Sequence, residues 1–280
     1  MLAFRFTLGQ RSAAWNGVEV YPAFGDVGFG PVVVKLVRPA VAGREGGALA
    51  LRLADQAENL RVVVHPGIVR LVADGWDDPL GARFLVLESV AGETLEAHLA
   101  HRRKLDVGLA LELTCALCEV LVALHERSLL HLDLALDNVV LAAPGAPFPL
   151  KLQDVGAYRM GEAALLATAS AGMLPYQAPE RLRGEACDVR TDVHAAGALL
   201  YRMLGGHPPF RGATVEELLE SRRRGVPPIF AAGVSPAVEA DRAARRCLAE
   251  DPARRFAGPA ELREALAELR LKLPGSRPTA

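Results

Sequence analysis

His-Leu-Asp-Leu-Ala-Leu-Asp-Asn occupies residues 131–138, and an apolar run separates it from Asp-Val-Gly at residues 154–156. In this pattern Asp133 can orient and deprotonate a hydroxyl group, while Asn138 and Asp154 offer the oxygen ligands that Mg²⁺ prefers. Together the three side chains suit phosphoryl transfer from a nucleotide. A structural alternative exists, because Asp and Asn are also favoured in turns, where they hydrogen-bond the local backbone.

The composition describes a globular chain with no strong overall charge. Its 280 residues are 51% hydrophobic, which is enough to bury one large core or two lobes. The 32 Lys and Arg residues nearly balance the 33 Asp and Glu residues, so no basic field attracts nucleic acid. We therefore expect a small-molecule or protein partner and no nucleic acid.

The sequence also lacks the patterns of membrane insertion and secretion. Its apolar runs, such as residues 108–124 and 195–204, are short or interrupted by charged residues. The first residues show neither the basic segment nor the cleavage pattern of a signal peptide. These features predict a cytoplasmic protein with no membrane segment in this chain.

Four cysteines are too few and too scattered to form a disulfide framework. Cys115 and Cys118 form a Cys-x-x-Cys pair, but they lie in the helical pattern of residues 109–124, with no second pair at zinc-site spacing. Buried helix cysteines are the favoured interpretation, and a metal site is the alternative.

Further motifs, spread over roughly residues 4–271, resemble those of bacterial serine/threonine protein kinases of the eukaryotic-like type. In chain order they are Val-Val-Val-Lys at 32–35, His-Pro-Gly-Ile-Val at 65–69, Ala-Pro-Glu at 178–180, Thr-Asp-Val at 191–193 and Asp-Pro-Ala-Arg-Arg at 251–255. The resemblance implies an α+β, two-lobed protein kinase-like fold. A small β-rich N-lobe is expected at residues 1–90, a larger helical C-lobe at 91–275 and a short tail at 276–280.

The resemblance also implies where a nucleotide binds. Strands are predicted at residues 4–9 and 18–21, with a phosphate-covering loop between them, and a hinge is predicted within residues 84–92. Lys35 would reach the α and β phosphates of ATP, although a lysine that protects an edge strand is the alternative. The residues expected to bind the nucleotide are Gly9, Gly17, Val20, Val33, Lys35, Leu87, Glu88, Val90 and Val140.

The catalytic roles follow from the same resemblance. Asp133 is expected to act as the general base and Lys35 to assist it on the phosphates, while Asn138 and Asp154 hold Mg²⁺. His131 is expected to pack beneath the loop. Two scaffold contacts are implied as well: Asp192 should hold the backbone of the catalytic loop, and Glu180 should pair with Arg255.

Several positions depart from the family pattern. Gln56 stands where the family has the glutamate that pairs with the strand lysine, and Leu132 replaces the arginine that binds a phosphorylated activation segment. Ala135 replaces the lysine of the catalytic loop, and Met173 replaces a threonine that hydrogen-bonds the catalytic aspartate. A lost electrostatic donor of this kind typically costs about 10²–10³ in turnover.

Two further features concern the loops that contact substrate. The phosphate-covering loop has glycine only at its two ends, whereas the family has three glycines there. The activation segment, expected at residues 157–180, carries Thr168 and Ser170 as candidate phosphorylation sites.

Three functions are therefore compared. The leading hypothesis is a protein that binds ATP and Mg²⁺ and transfers the γ-phosphate to Ser or Thr of a protein, at a rate impaired by these departures. The alternative is a catalytically inactive pseudokinase that acts as a binding or scaffolding module. A third, a small-molecule phosphotransferase of the aminoglycoside-kinase type, shares the Asp, Asn and Asp pattern but needs neither the Ala-Pro-Glu segment nor Arg255.

Overall fold

A computed structural model describes residues 6–15, 17–25, 30–43, 46–155, 158–159 and 173–273. The chain divides into two compact units, Met1–Ala91 and Gly92–Ala280. The first is dominated by a β-sheet and the second by helices. The predicted fold class, a β-rich N-lobe followed by a helical C-lobe, is confirmed.

The N-terminal unit is an antiparallel sheet with one helix. The strands are β1 (Phe6–Leu8), β2 (Ala13–Trp15), β3 (Val18–Gly25), β4 (Pro31–Val37), β5 (Leu71–Asp77) and β6 (Ala82–Glu88). Their order is β1-β3-β4-β6-β5, and β2 also pairs with β3. Helix α1 (Gly46–Val62) follows β4 and packs on β4, β5 and β6.

The alternation of side chains along β4 sorts its residues between the two faces of the sheet. Val32, Val34 and Leu36 belong to an apolar cluster that is completed by residues of the neighbouring strands, such as Phe84. Because successive side chains of a strand point to opposite faces, Lys35 lies on the other face. Lys35 is nevertheless only 4% exposed, so the sheet carries a buried cation.

The C-terminal unit contains seven helices and five short strands among the residues described. The helices are α2 (Leu95–Arg102), α3 (Val107–His125), α4 (Pro179–Leu182), α5 (Val189–Gly205), α6 (Val215–Arg223), α7 (Pro236–Cys247) and α8 (Pro259–Leu271). The strands are β7 (Gly92–Thr94), β8 (Leu129–Leu130), β9 (Val139–Ala142), β10 (Leu150–Leu152) and β11 (Tyr158–Arg159). They form one antiparallel sheet in the order β10-β9-β7 and a separate β8–β11 pair.

Helix α3 is the centre of this unit and packs against α5, α7 and α8. Cys115 and Cys118 are free thiols buried in it, as predicted, and burial raises the pKa of Cys115 to about 11. By length and composition α3 is able to cross a bilayer, which the sequence had not been expected to allow. In its most apolar stretch 61% of the residues are buried inside the unit, as in the core helix of a globular domain.

Candidate active site

One buried aspartate holds the backbone of the loop at residues 131–138. Asp192, in the first turn of α5, accepts hydrogen bonds from the backbone N–H of His131 (N···Oδ2 2.8 Å) and of Leu132 (N···Oδ1 2.8 Å). His125 Nε2 lies 2.8 Å from the same Oδ2. Burial by itself raises the pKa of Asp192, but the hydrogen bond and the charge of His125 hold that pKa below its ordinary value. The predicted tie to the catalytic loop is confirmed.

The loop bends sharply at Leu132, whose φ is 56°. This left-handed conformation costs a residue other than glycine about 1–2 kcal/mol. The Leu132 side chain compensates by packing into an apolar cluster with Leu130, Cys187 and Val189. The position that carries arginine in the family pattern is therefore an apolar contact in this protein.

His131 fills the space beneath the loop. Its side chain is fully buried, and burial lowers the pKa of its imidazole. This burial agrees with the prediction that His131 packs beneath the loop.

Asp133 stands at the tip of this anchored loop, with its side chain 25% exposed. The side-chain amide of Asn138 donates a hydrogen bond to the backbone carbonyl of Asp133 over 2.8 Å. This bond closes the loop on itself and points the Asn138 amide nitrogen inward. Asp133 is thus a reachable carboxylate on a rigid support, which general-base chemistry requires.

A hairpin brings the two candidate metal ligands to one end of a strand pair. Strands β9 and β10 are antiparallel with Val139 opposite Leu152, and the Gln153 N–H donates to the Asn138 carbonyl over 2.9 Å. Asn138 precedes β9 and Asp154 follows Gln153, so both leave the hairpin at the same end. Asp154 has a φ of 54°, which turns the chain away from the strand immediately afterwards.

A cation that sequence reasoning missed contacts Asp133. Arg181 Nη2 lies 2.6 Å from Asp133 Oδ1, and its Nη1 lies 2.6 Å from Gln177 Oε1. Arg181 is 0% exposed. A fully buried guanidinium must be paired to be tolerated, and the carboxylate of Asp133 is its counter-ion.

The segment that carries Arg181 is fixed by a second ion pair. Arg255 donates from Nη1 to Glu180 Oε1 over 2.7 Å and from Nη2 to Oε2 over 2.8 Å. The Thr191 hydroxyl adds a third bond to Glu180 over 2.9 Å. This two-pronged, buried contact is the Glu180–Arg255 pair that the sequence predicted, and it anchors α4 to the rest of the unit.

In the N-terminal unit, Val33 and Lys35 share the face of β4 opposite the apolar cluster, and Val20 is the cross-strand neighbour of Lys35. Leu87, Glu88 and Val90 lie at and after the end of β6. The Glu88 N–H donates to the Arg70 carbonyl over 3.0 Å. Among the described residues, the Val90 N–H has no hydrogen-bond partner.

The register of α1 is settled by burial. Gln56 is 7% exposed on the face that packs against the sheet, whereas Asp55 and Glu58 are exposed. Neither acidic neighbour can replace the glutamate of the family pattern at this position. The departure at Gln56 is therefore a real change in the buried face of the helix.

The predicted phosphate-covering loop contains a short strand, β2. β2 pairs with β3, with Trp15 opposite Val18, and the Gly9 and Ser12 N–H groups also bond to β3 carbonyls over 2.8 and 2.9 Å. Gly17 has a φ of 81°, and a Cβ placed there would lie 2.7 Å from the Ala42 side chain. Gly9 and Gly17 thus each have a structural reason to be glycine, and their contact with phosphate stays a prediction.

A family model described as the protein kinase domain matches residues 29–280. The chain belongs to the protein kinase family. The match begins after the first three strands and covers the rest of both units, so the resemblance drawn from motifs is confirmed over most of the chain.

Several curated bacterial proteins are similar to this kinase domain. The probable serine/threonine-protein kinase SCO3848 of Streptomyces coelicolor is 30% identical over 272 residues, covering 94% of this chain and 39% of that protein. Serine/threonine-protein kinase PknB is 28% identical over 254 residues in Mycobacterium tuberculosis (88% of this chain, 40% of that protein) and 31% over 250 residues in Mycolicibacterium smegmatis (84% and 38%). The chain spans about two fifths of the length of these relatives.

The expected donors beside the catalytic aspartate are absent from this kinase domain. Ala135 is buried and has no polar side-chain atom, and Met173 begins a short 3-10 turn without a hydroxyl. The cation that the structure does place against Asp133 is Arg181. Nothing in its sequence context distinguishes it, because an arginine after Ala-Pro-Glu is equally compatible with a solvent-facing position.

Two sets of predictions stand outside these observations. Thr168 and Ser170 lie outside the residues that the structure describes. The nucleotide-binding candidates divide between the two units, with Val140 on β9 of the C-terminal unit and the others in the N-terminal unit, and they stay predictions.

Proposed function

We propose that this chain is the catalytic domain of a cytoplasmic serine/threonine protein kinase that binds ATP and Mg²⁺. The observation that carries the proposal is the state of Asp133: a partly exposed carboxylate at the tip of a loop whose backbone is held by a buried, charged Asp192. Membership of the protein kinase family and the names of its bacterial relatives support the same activity.

The chemistry assigns one proton to Asp133. As the hydroxyl oxygen of a protein serine or threonine forms its bond to the γ-phosphorus of ATP, the bond from that phosphorus to the β–γ bridging oxygen breaks and ADP leaves. The Asp133 carboxylate orients the hydroxyl and accepts its proton. The buried Lys35 would hold the α and β phosphates, and Val90 would receive the purine through its N–H.

Asn138 and Asp154 fit a magnesium ion that is shared with the nucleotide. They supply one amide oxygen and one carboxylate at the same end of the β9–β10 hairpin, and Mg²⁺ at such sites takes only one or two protein oxygens besides phosphate and water. Within the described residues no three His, Cys, Asp or Glu side chains come together as a metal site, which agrees with a shared ion. Bound Mg²⁺ neutralises charge on the phosphate oxygens.

A pseudokinase that binds partners without phosphotransfer is the second candidate, and specific observations favour it. Gln56 leaves the buried face of α1 without a carboxylate, Ala135 and Met173 contribute no polar group beside Asp133, and the tip at Gly17 is packed on Ala42. Both candidate functions require a protein partner, and they differ in whether that partner becomes phosphorylated.

Nucleotide binding is tested first, by thermal unfolding with and without Mg²⁺ and ATP. A ligand at 100 times its Kd stabilises a fold by about 2.7 kcal/mol, so a clear Mg²⁺-dependent rise in Tm is expected. A Tm that does not change at millimolar ATP would instead favour the pseudokinase function.

Phosphotransfer is tested with radiolabelled ATP and myelin basic protein as the acceptor. Asp133→Ala should abolish transfer while the ATP-induced Tm rise persists. Asp137→Ala, which removes an exposed carboxylate from the same loop, is the matched control and should transfer as the wild type does. Equal transfer by Asp133→Ala and wild type would remove Asp133 as the base.

A further inference from the structure

The catalytic carboxylate of a kinase needs a fixed orientation, and the residues at positions 135 and 173 do not provide it. Ala135 and Met173 offer no hydrogen-bond donor in their side chains. A carboxylate on a partly exposed loop samples several rotamers unless a donor holds it, and each misplaced rotamer weakens proton transfer.

Arg181 meets this need from a different part of the chain. Its Nη2 bonds to Oδ1 of Asp133 over 2.6 Å, while Oδ2 has no hydrogen-bond partner among the described residues. One carboxylate oxygen is thus held by a permanent positive charge, and the other is left to accept a hydroxyl proton.

The support behind Arg181 is rigid. Adjacent residues on a helical turn point in different directions, and in α4 Glu180 turns to Arg255 while Arg181 turns to Asp133. The Arg181 guanidinium also donates to Gln177, whose carbonyl accepts a bond from the buried Arg222. The arginine therefore has little freedom to leave the carboxylate.

We propose that Arg181 is the positioning residue for the catalytic base, and that it supplies from α4 the cation that position 135 lacks. This inference rests on the proposed kinase function. Arg181 acts on Asp133 and makes no contact with ATP in this proposal, so its loss lowers kcat and leaves the KM for ATP unchanged.

The experiment compares kcat and the ATP KM of the wild type with those of four variants, with radiolabelled ATP and myelin basic protein. Arg181→Met should lower kcat by about 10²-fold, the usual effect of losing one such donor. Arg183→Met is the matched control, because it removes a partly exposed arginine, two residues after Arg181, that pairs with Glu250. Its kcat should stay within about twofold of the wild-type value. Arg181→Lys keeps the charge and should retain more activity than Arg181→Met.

The decisive variant is the double substitution Ala135→Lys with Arg181→Met. It returns a cation to the catalytic loop itself, so kcat should recover at least about tenfold over Arg181→Met alone. A purely structural role for Arg181 gives no such recovery. Activity of Arg181→Met within about twofold of wild type, or no recovery in a folded double variant, overturns the proposal.

A second measurement separates this proposal from the kinase function. Urea unfolding of Asp133→Asn, Arg181→Met and their double variant forms a double-mutant cycle that needs no activity. If Arg181 holds Asp133, the shift of the urea midpoint in the double variant is smaller than the sum of the single shifts. Additive shifts overturn the positioning role even in an active kinase. If the wild type is inactive but the shifts in the cycle are non-additive, the kinase function is rejected while the Arg181–Asp133 interaction is confirmed.

Discussion

Replacing Asp192 by alanine should release the catalytic loop from α5. The change removes the acceptor of two backbone N–H groups, those of His131 and Leu132, and of the His125 ring. Each buried donor left without a partner costs about 1–3 kcal/mol, so the two N–H groups together cost about 2–6 kcal/mol. A domain has only about 5–15 kcal/mol of stability in total, and Asp192→Ala is expected to be marginally folded.

Asp192→Asn is the variant in which the loop can be assayed. Its amide keeps one oxygen, so one of the two N–H groups retains an acceptor while the other faces an NH₂ group. We expect about half the loss of the alanine variant in the free energy of unfolding, measured by urea titration with circular dichroism. Because Leu132 is then free to leave its left-handed conformation, kcat should fall more than the KM for ATP changes.

Asp241→Asn provides the control for burial of a carboxylate. Asp241 is 1% exposed on α7, where it pairs with Arg245 and does not contact the catalytic loop. Its substitution should alter stability without altering kcat per folded molecule. A wild-type kcat in folded Asp192→Asn, or an equal kcat loss in Asp241→Asn, would refute the reasoning that Asp192 positions the loop.

Three further predictions concern stability, pH and the N-terminal unit. Arg255→Met should lower the free energy of unfolding by about 3–5 kcal/mol, because Glu180 is left buried without its partner, and a smaller loss in urea unfolding would mean that Glu180 finds another donor. Burial lowers the pKa values of His131 and His194 below the ordinary 6.5, so their neutral forms stabilise the fold above that pH and this contribution is lost as the pH falls through the folded values. The urea midpoint should therefore decline as the pH falls below about 6.5, and His194→Phe should flatten that decline. Gln56→Glu should raise phosphotransfer to myelin basic protein by restoring the family's carboxylate, whereas a lower Tm without added transfer would show that the acid is buried unpaired.

Motif spacing was sufficient to predict a contact when both of its residues belong to the family pattern. Glu180 and Arg255 are 75 residues apart, yet both were predicted to pair because each stands in a short phrase of fixed composition. The same holds for Asp192 and the catalytic loop. Counting back from residues 65–69 placed Gln56 at the position of the family's lysine-pairing glutamate, and the burial of Gln56 agrees with that register.

The strand β2 was wrongly expected to be part of a loop. Apart from Trp15, residues 10–16 are polar or small, and the stretch as a whole does not indicate a strand. Hydrogen bonds to β3 override that preference, because a neighbouring strand satisfies backbone groups whatever the side chains are. The partner strand begins at Val18, three residues after Trp15, and the pair Asn16-Gly17 between the two strands is a typical hairpin-turn sequence that the motif-based interpretation did not use.

The sequence alone was enough to establish the kinase fold, with a β-rich unit followed by a helical one. It also predicted Asp133, Asn138 and Asp154 as the chemical centre from residue types at fixed spacing. The contact from Arg181 to Asp133 required the folded chain. Arg181 and Asp133 are 48 residues apart in the chain, and Glu180, the neighbour of Arg181, is anchored by Arg255 from still further along it. The contact therefore depends on packing between segments that are distant in sequence. The sequence by itself does not show whether an arginine will be buried or exposed.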